Sequence, residues 1–529
     1  MNPERSVRLN KFARLRERIK DPEWKKYAGV LIIGKFGAIA ILMMAFFLFK
    51  AFTGDAAHAD DPVLKQEVIT SSINTLWVLL AAFLVFCMQV GFTMLEAGFC
   101  RSRETVNVLV ECVFDTCLCG LLYWAWGFAF MFGHGNGFIG SGDASGHNWF
   151  FLHNTPETYE TTGVSFMAFW LFQFAFADCA STICSGAMIG RTAFVGDILY
   201  SVCVSGFLYP IIGHWAWGPD GFLALMGSPA AAGASATFLP TLGNSFHDFA
   251  GSTVVHAIGG SIALAGAIVL GPRLGRKFKR DGGGPMLPHD LVIACVGGLI
   301  LWFGWYGFNP GSSLSAIDFQ GVGRIATNTT LAACAGGMIA VLVALPMTKK
   351  WDLGFMTNGF LAGLVAITCP CYWVDTMGSV IIGGLAGAIV VGGIELLEYL
   401  RIDDPIGAVP VHMINGIWGT IALGLFACGK YNSSGPTGAT VIDKDHTALA
   451  GLFYHGGAGL LQAQIIGNVI IVGSTFSLAM LMFFIIHKFG LLRVSKEGEL
   501  QGLDVHEHGL PAYPEFVLHE TPTAHEYTE

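Results

Sequence analysis

Charged side chains are scarce in this chain of 529 residues, where Asp, Glu, Lys and Arg together make up 13% of the sequence. An ordinary soluble domain carries about 25%. Hydrophobic residues make up 53%, and apolar runs of about 18 residues or more recur along most of the chain, which is the signature of transmembrane helices. The short alternating segments of a membrane β-barrel are absent. The composition therefore predicts an all-α polytopic membrane protein.

Cysteine is present but forms neither a disulfide framework nor a zinc motif. Most of the thirteen Cys residues lie inside apolar segments, where a thiol behaves as a small hydrophobic side chain. Cys369 and Cys371 are close in sequence, but no matching set of His or Cys stands nearby. We expect no metal and no cofactor. We also expect no enzymatic activity, because the roughly 40 polar residues after the last predicted helix leave no room for a catalytic domain.

Lys and Arg are missing from every second connection between the predicted helices. None occurs in the connections 133–164, 218–246, 309–323 and 371–375. The intervening connections all carry basic residues, and basic loops are cytoplasmic by the positive-inside rule. Lys430 and Lys444, in the last outer loop, are the exceptions. This alternation predicts a multi-pass protein of the inner (plasma) membrane whose core begins outside and whose C-terminus is cytoplasmic.

Hydropathy divides the chain into three parts: a basic N-terminus (1–59), a membrane domain (60–490) and a cytoplasmic tail (491–529). The N-terminal apolar segment 28–53 is either a signal peptide, cleaved after Ala59, or a retained extra helix. The predicted core helices are 70–94, 105–132, 165–189, 193–216, 247–270, 290–308, 325–346, 356–370, 376–399, 407–428 and 462–488.

Two histidines lie near the middle of predicted helices. His256 is about nine residues into a helix that starts outside, and His412 is about seven residues into one that starts inside. At about 1.5 Å per residue, both reach mid-bilayer from opposite sides. Their helices are the fifth and tenth of the core, as two inverted five-helix repeats would give. A lone buried histidine is more often structural, but this matched pair indicates a shared pathway.

The side chains of such a pathway limit which molecules it can carry. Neutral imidazoles line a narrow conduit without adding fixed charge. An intact cation in that conduit would pay a large desolvation penalty. A cation that sheds a proton avoids the penalty by crossing as a neutral molecule. The pair therefore favours a small weak acid or base over a metal ion.

Aromatic residues are predicted at the outer ends of neighbouring helices. Trp217 ends the fourth helix, and Trp305, Phe308 and Ser312 lie at the outer end of the sixth, while Phe176 lies in the third. Aromatic faces attract small cations. For the two tryptophans alone, the ordinary interfacial aromatic belt is the better interpretation.

Four motifs together carry a family resemblance. They are DFAGSTVVH (248–256), WFGWYGFNPGS (302–312), DDP (403–405) followed by a His seven residues after the Pro, and GLDVHEHG (502–509). Between about residue 70 and residue 513 the chain resembles the ammonium transporter family (Amt/Mep/Rh), specifically its Amt branch. The resemblance implies an eleven-helix homotrimer with one pore per subunit, which carries ammonium without ATP.

The resemblance also implies roles for single residues. By their positions in the motifs, the residues that resemble the family's NH₄⁺ recruitment site are Phe176, Trp217, Ser312 and Asp248. Phe176 and Phe308 resemble its stacked phenyl gate, and His256 and His412 resemble its twin pore histidines. Asp248 is expected at the wet outer mouth, where it shapes the vestibule and its field. A PII-type signalling protein is expected to dock on the cytoplasmic face.

Three positions depart from the usual family pattern. Gly407 stands five residues before the second His, where many Amt proteins have Asp. Gly190 precedes Arg191, where Glu is usual. Asp178, two residues past the gate residue Phe176, stands where an uncharged residue is usual. Asp178 has two interpretations, a satisfied interhelical contact or a second proton-handling group.

The leading hypothesis is an ammonium transporter that deprotonates NH₄⁺ and conducts it through a hydrophobic twin-histidine pore. One alternative is an ammonium sensor that signals through its C-terminal tail. Others are an Rh-like NH₃ gas channel and, less favoured, a redox subunit with His256 and His412 as axial haem ligands.

Overall fold

The computed structural model describes residues 66–159, 162–226, 244–432 and 448–514. The chain divides into two units, Met1–Ile69 and Thr70–Glu529. Of the first unit the structure describes only residues 66–69, the first residues of a helix. The predicted apolar segment 28–53 and the cleavage site after Ala59 lie outside the described residues.

In the described ranges, ten helices are long and apolar enough to cross a membrane, and a shorter one, Leu353–Thr368, makes eleven. They are α1 (Gln66–Phe99, interrupted at Cys87), α2 (Thr105–Phe132), α3 (Phe166–Gly186), α4 (Phe194–Trp217), α5 (Ser252–Leu270), α6 (Leu291–Gly311), α7 (Phe319–Thr348), α8 (Leu353–Thr368), α9 (Thr376–Leu400), α10 (Val409–Phe426) and α11 (Gly459–Lys488). Helices satisfy their backbone hydrogen bonds internally, as a lipid environment requires. The predicted eleven-helix core is confirmed.

The remaining elements are short. Strand β1 (His134–Gly135) pairs antiparallel with β2 (Gly140–Gly142), and β3 (Cys428–Asn432) pairs antiparallel with β4 (Ala448–Ala450). Single 3₁₀ turns lie at Phe150–Leu152, Lys279–Asp281 and Leu452–Tyr454. After α11 the chain forms two small helices, α12 (Lys496–Gln501) and α13 (Leu503–His508).

Small residues let the central helices pack closely. A Cβ on Gly383 of α9 would lie 2.2 Å from the Ala332 carbonyl oxygen of α7, so only glycine permits this approach. Large apolar side chains instead cover the outside of the bundle, where they are more than half exposed; examples are Leu76, Phe83, Val113, Leu121 and Met338. Such an outward-facing apolar surface suits a lipid environment.

The connections between helices gather at two ends, as the alternation of basic residues predicts. At one end, which we call the Arg273 face, Arg191 of the α3–α4 connection donates to the Asp403 carbonyl of the α9–α10 connection, 2.7 Å away. At the other end, which we call the Trp217 face, the Phe222 N–H donates to the Gly137 carbonyl at 3.2 Å.

A buried ion pair stabilises the Arg273 face. The Arg273 guanidinium donates to both Asp403 carboxylate oxygens at 2.8 and 2.9 Å, and the two side chains are 4% and 2% exposed. Burial alone would raise the pKa of Asp403. The hydrogen bonds and charge of Arg273 outweigh burial and hold that pKa well below its usual range.

We expect Asp403→Asn to lower the melting temperature of the purified protein clearly, because removing one partner of a buried pair costs about 3–5 kcal/mol. The matched control is Asp281→Asn, which removes the exposed partner of Arg401 and should cost at most about 1 kcal/mol. Because the Asp403 pKa is depressed, the pair stabilises the fold above about pH 4 and loses its effect only below that. The difference between wild type and Asp403→Asn should therefore stay constant from about pH 5 to 8. Equal melting temperatures for the two variants would contradict this role.

Candidate functional site

The Asp248 carboxylate forms the N-terminal cap of α5. Its Oδ1 accepts from the N–H groups of Gly251 and Ser252 at 3.0 and 2.9 Å, and its Oδ2 accepts from Thr253 and Val254 at 2.8 Å each. Gly251 has φ of 109°, a left-handed conformation that glycine adopts without strain. The Asp248 residue is only 7% exposed, so the expectation that it lies in a wet mouth is wrong.

Asp404 caps α10 in the same manner. Its Oδ1 accepts from the N–H groups of Gly407 and Ala408 at 3.0 and 3.1 Å, and its Oδ2 accepts from Val409 at 2.8 Å. Gly407, where a family Asp was expected, has φ of 80°. A side chain there would be strained, which explains the glycine in physical terms.

The two caps are followed by equivalent helix starts. Each begins with a π-helical segment, Ser252–Ala257 or Val409–Ile414, and each segment contains the histidine. Such segments are rare and occur frequently at functional sites. Sequence reasoning missed Asp404, although both halves show one signal: an Asp, a Gly three residues later and a His eight residues later.

The structure brings His256 and His412 into direct contact. Their Nδ1 atoms lie 3.1 Å apart, and the rings stack with centroids 5.2 Å apart. In a neutral pair, one Nδ1 donates its proton and the other accepts it. The residues are 0% and 6% exposed. His256 Nε2 has no hydrogen-bond partner within the described part of the chain.

A column of aromatic rings leads from the Trp217 face to this pair. The Trp217 ring meets the Phe176 ring edge-on at 6.2 Å. Phe176 stacks on Phe308 with centroids 4.0 Å apart, and Phe308 stacks on His256 at 5.3 Å. All three aromatic residues are buried. The predicted gate residues therefore lie directly above the predicted pore histidines.

Hydrogen bonds fix the mouth of this column. Trp217 Nε1 donates to the Asp248 carbonyl at 2.8 Å, which ties the end of α4 to the cap of α5. Ser312 Oγ donates to the Phe308 carbonyl at 2.8 Å, and Ser312 is only partly buried. The four predicted recruitment residues thus belong to the elements that surround one entrance.

Trp305 does not belong to an interfacial belt, so that interpretation is wrong for this residue. It is fully buried, and its ring stacks on His256 with centroids 5.1 Å apart. Its Nε1 donates to Thr368 Oγ1 at 2.8 Å. The wall of the pathway beside His256 is therefore apolar and rigid. Phe92 contributes in the same way beside His412, with centroids 6.3 Å apart.

A cavity of about 640 Å³ lies on the Arg273 face. Its lining includes Asp404 and Pro410 at the start of α10. Basic side chains also line it, among them Arg276, Lys279 and Lys350. The cavity lies next to the helix that carries His412, so a molecule leaving the histidine pair in this direction would reach a spacious region lined by both apolar and charged side chains.

This geometry agrees with what the chain is similar to. The family model described as Ammonium Transporter Family matches residues 76–513. The chain belongs to the ammonium transporter family. It is 42% identical to ammonium transporter Amt2 of Archaeoglobus fulgidus over 92% of this chain and 97% of that protein. It is 36% identical to ammonium transporter 1 member 3 of Solanum lycopersicum, over 85% and 94%.

Solved structures of the family share the fold. A protein titled Sensor Amt Protein matches with a TM-score of 0.71 and 33% identity, covering 84% of this chain and 100% of that chain. Mep2 of Saccharomyces cerevisiae matches with a TM-score of 0.67 and 25% identity, covering 80% and 88%. This ammonium transporter is a multi-pass membrane protein.

A second departure from the family pattern has a structural explanation. A Cβ on Gly190 would lie 2.7 Å from the carboxylate of Glu104, a residue in the α1–α2 connection. Glu104 therefore places a buried carboxylate beside the position where the family usually carries Glu. Arg191 is also fully buried.

Asp178 makes an interhelical contact, because its carboxyl group faces Thr116 of α2. Asp178 is fully buried, and it lies two residues beyond Phe176, which stacks on Phe308 in the gate.

Proposed function

We propose that this ammonium transporter recruits NH₄⁺ at Trp217, Phe176 and Ser312, removes a proton at the gate, and conducts NH₃ past His256 and His412. The observation that carries the proposal is the continuous column of buried rings that ends on two histidines in contact. The aromatic rings at the mouth of this column attract a cation, but in the described part of the chain no negative charge further in would stabilise one. A molecule that changes from cation to neutral base fits both properties.

Recruitment follows from the aromatic mouth. The faces of Trp and Phe rings attract small cations, with a gain of roughly 0.5–2 kcal/mol that depends on desolvation. Ser312 is partly exposed. Its hydroxyl oxygen can accept a hydrogen bond from an N–H group while its own O–H continues to donate to the Phe308 carbonyl. Ammonium can therefore donate a directional hydrogen bond to Ser312 at the mouth.

Passage through the gate requires a neutral molecule. The Phe176 and Phe308 rings lie in van der Waals contact, so they must part to admit a solute. An apolar constriction of this kind excludes hydrated ions. Below it, one histidine nitrogen accepts an N–H of ammonia and another donates to its lone pair, because neutral imidazoles offer both functions.

Asp248 acts in this proposal by positioning. Its carboxylate holds four N–H groups of α5, and its own carbonyl holds Trp217. It therefore holds Trp217 and the start of the helix that carries His256 in fixed positions relative to each other. Its negative charge also favours a cation at the nearby mouth.

We place the Trp217 face outside and the Arg273 face in the cytoplasm of a plasma membrane, because the basic connections gather at the latter. We also propose a homotrimer, as the family resemblance implies. The cavity on the Arg273 face, with its apolar and basic lining, is a suitable docking surface for a PII-type signalling protein.

The proposal is tested by complementation of yeast cells that lack their own ammonium uptake. We expect the wild-type chain to restore growth on low ammonium and to take up radiolabelled methylammonium. A chain that reaches the plasma membrane but supports neither growth nor uptake would refute ammonium transport. The same result would favour the second candidate, a sensor, which the likeness to the structure titled Sensor Amt Protein supports.

We expect Phe176→Ala to lower the preference for ammonium over K⁺ by at least about tenfold, because the apolar constriction then no longer excludes hydrated ions. The matched control is Phe174→Ala on the same helix, since Phe174 stacks on Trp170 and not on Phe308. Currents evoked by ammonium and K⁺ in proteoliposomes measure the preference. An unchanged preference in Phe176→Ala would contradict the gate.

A further inference from the structure

Two neighbouring helices carry polar side chains at every fourth residue. The stripe on α2 is Asn107, Glu111, Asp115 and Cys119, and the stripe on α4 is Asp197, Ser201, Ser205 and Tyr209; all eight are buried. Residues four apart lie on one side of a helix. We call these eight residues, with Asp178 and Ser181 of α3, the polar seam.

Contacts make the seam continuous across the three helices. Ser205 Oγ donates to Ser181 Oγ at 3.1 Å. Cys119 faces both Ser205 and Asp178. Asp115 lies near Ser201, Asp197 and Asp178, so acids of three helices are within electrostatic range of one another.

The carboxyl groups of the seam have acids, not bases, as charged neighbours. Those that face Asp115 are Asp197, Glu111 and Asp178, and Asp197 is faced in turn by Glu96 and Glu111. The buried guanidinium of Arg191 is occupied elsewhere; its partners are the carbonyls of Ala187, Ile189, Gly271 and Asp403. Several buried carboxylates without cations cannot all be charged, because desolvation and mutual repulsion both oppose it. The seam therefore shares protons among its carboxyl groups.

Two buried hydroxyl groups lie along the seam beside its carboxyl groups. Ser201 faces the Asp115 carboxyl group, and Tyr209 Oη has no hydrogen-bond partner among the described residues. Ser201 and Tyr209 are fully buried. Hydroxyl groups both donate and accept, so they can bind water or relay a proton between the carboxyl groups.

The seam reaches toward both faces of the bundle. At the Trp217 face, Tyr209 lies within electrostatic range of Asp248, the cap beside the recruitment site. At the Arg273 face, Asn107 Nδ2 donates to Glu111 Oε1 at 2.9 Å, and Asn107 Oδ1 lies 3.0 Å from His508 Nε2 on α13. The seam therefore ends at a polar group on each side, the Asp248 cap at one face and the partly exposed His508 at the other.

We infer that the polar seam conducts the proton that NH₄⁺ releases, while NH₃ crosses separately through the aromatic and histidine column. The inference rests on the proposed function and adds a route for the proton. NH₄⁺ dissociates at the gate into NH₃ and H⁺, and the N–H bond that breaks leaves its electron pair on nitrogen. The proton passes along the carboxyl groups to Glu111 and leaves beside His508. NH₃ regains a proton in the cytoplasm, so one NH₄⁺ and one positive charge are transferred.

Asp115→Asn and Asp197→Asn test the inference, because an amide cannot take up and release a proton as a carboxyl group does. Two quantities are measured in the same proteoliposomes after an ammonium jump: the current, and the alkalinisation of the lumen by NH₃, corrected for protein-free liposomes. We expect each variant to lose at least about tenfold of the current and to keep the alkalinisation. Asp115→Glu, which restores a carboxyl group, should recover the current. The matched control is Glu157→Gln, an exposed acid outside the seam.

The possible outcomes separate the seam from the proposed function. An undiminished current in Asp115→Asn and Asp197→Asn overturns the seam and leaves ammonium transport intact, and so does a wild type that alkalinises the lumen without current. A wild type without either signal overturns both proposals. A wild-type current carried by Na⁺ without ammonium would make the seam a cation site and overturn proton conduction.

Infrared difference spectra of the wild type decide the matter if the variants do not fold. We expect an ammonium jump to change the carbonyl bands of protonated carboxyl groups, with a shift in D₂O. Spectra without any carboxyl change would overturn the inference.

Discussion

His256→Leu is expected to reduce the ammonium current by about 100-fold or more, because the variant keeps the apolar volume but removes the polar atoms that NH₃ meets below the gate. In the wild type His256 also holds His412 through the Nδ1–Nδ1 contact of 3.1 Å. The variant leaves the buried Nδ1 of His412 without this partner. The conduit therefore loses the polar atoms of His256 and also the hydrogen bond that holds His412. Currents after an ammonium jump on proteoliposomes measure the effect.

His487→Leu provides the matched control for this substitution. His487 lies near the end of α11 and is exposed, so the same chemical change there should leave the current within about twofold of the wild type. A His256→Leu variant that is folded and conducts as well as His487→Leu would show that ammonium does not pass this histidine.

Asp248→Ala is expected to abolish transport and to lower the melting temperature strongly. The substitution leaves four buried N–H groups of α5 without their acceptor, and each buried unsatisfied donor costs about 1–3 kcal/mol. It also releases the helix start that positions His256 and Trp217. Thermal unfolding in detergent and ammonium uptake measure the two effects.

Asp352→Ala is the matched control for Asp248→Ala. Asp352 caps α8 through a single bond, from the Phe355 N–H at 3.0 Å, so its loss should cost about 0.5–2 kcal/mol, as ordinary N-caps do. The order of melting temperatures should be wild type, Asp352→Ala, Asp248→Ala. An Asp248→Ala protein as stable as Asp352→Ala would mean that the four-bond cap is not what holds α5 in place.

The membrane helices were predictable because lipid leaves little choice of backbone structure. The helix predicted at 105–132 has those bounds in the structure. Where helix starts differ, a cap explains the difference. The prediction placed the start of α5 at residue 247, but Asp248 and Gly251 turn the backbone first and the helix begins at Ser252. Asp318 accepts from the Gly321 N–H at 2.9 Å, so α7 begins at Phe319 and not at residue 325.

The site was predictable where it depends on spacing, and not where it depends on packing. Spacing and depth predicted that His256 and His412 lie in one pathway, and the structure brings them together. Trp305 has the sequence position of a belt residue, and only the packing of α6 against α5 shows that it lies on His256. The burial of Asp248 was not predicted either, because its hydrogen-bond partners are backbone N–H groups, which every sequence provides and which leave no pattern in it.

The polar seam could be anticipated only in part. The spacing of Asn107, Glu111 and Asp115 is visible in the sequence as a polar stripe on one predicted helix. That this stripe meets Asp197 of α4 and Asp178 of α3 depends on how three helices pack. Sequence spacing within a single helix carries no information about that arrangement.

The most direct test of the account compares ammonium with K⁺ in proteoliposomes of the wild-type chain. The account predicts that an ammonium jump produces a current, or at least a change of internal pH, beyond that of protein-free liposomes. An equal jump of K⁺ should produce neither, because K⁺ cannot shed a proton to cross the apolar column. Equal responses to the two cations, or no response to ammonium, would contradict the account.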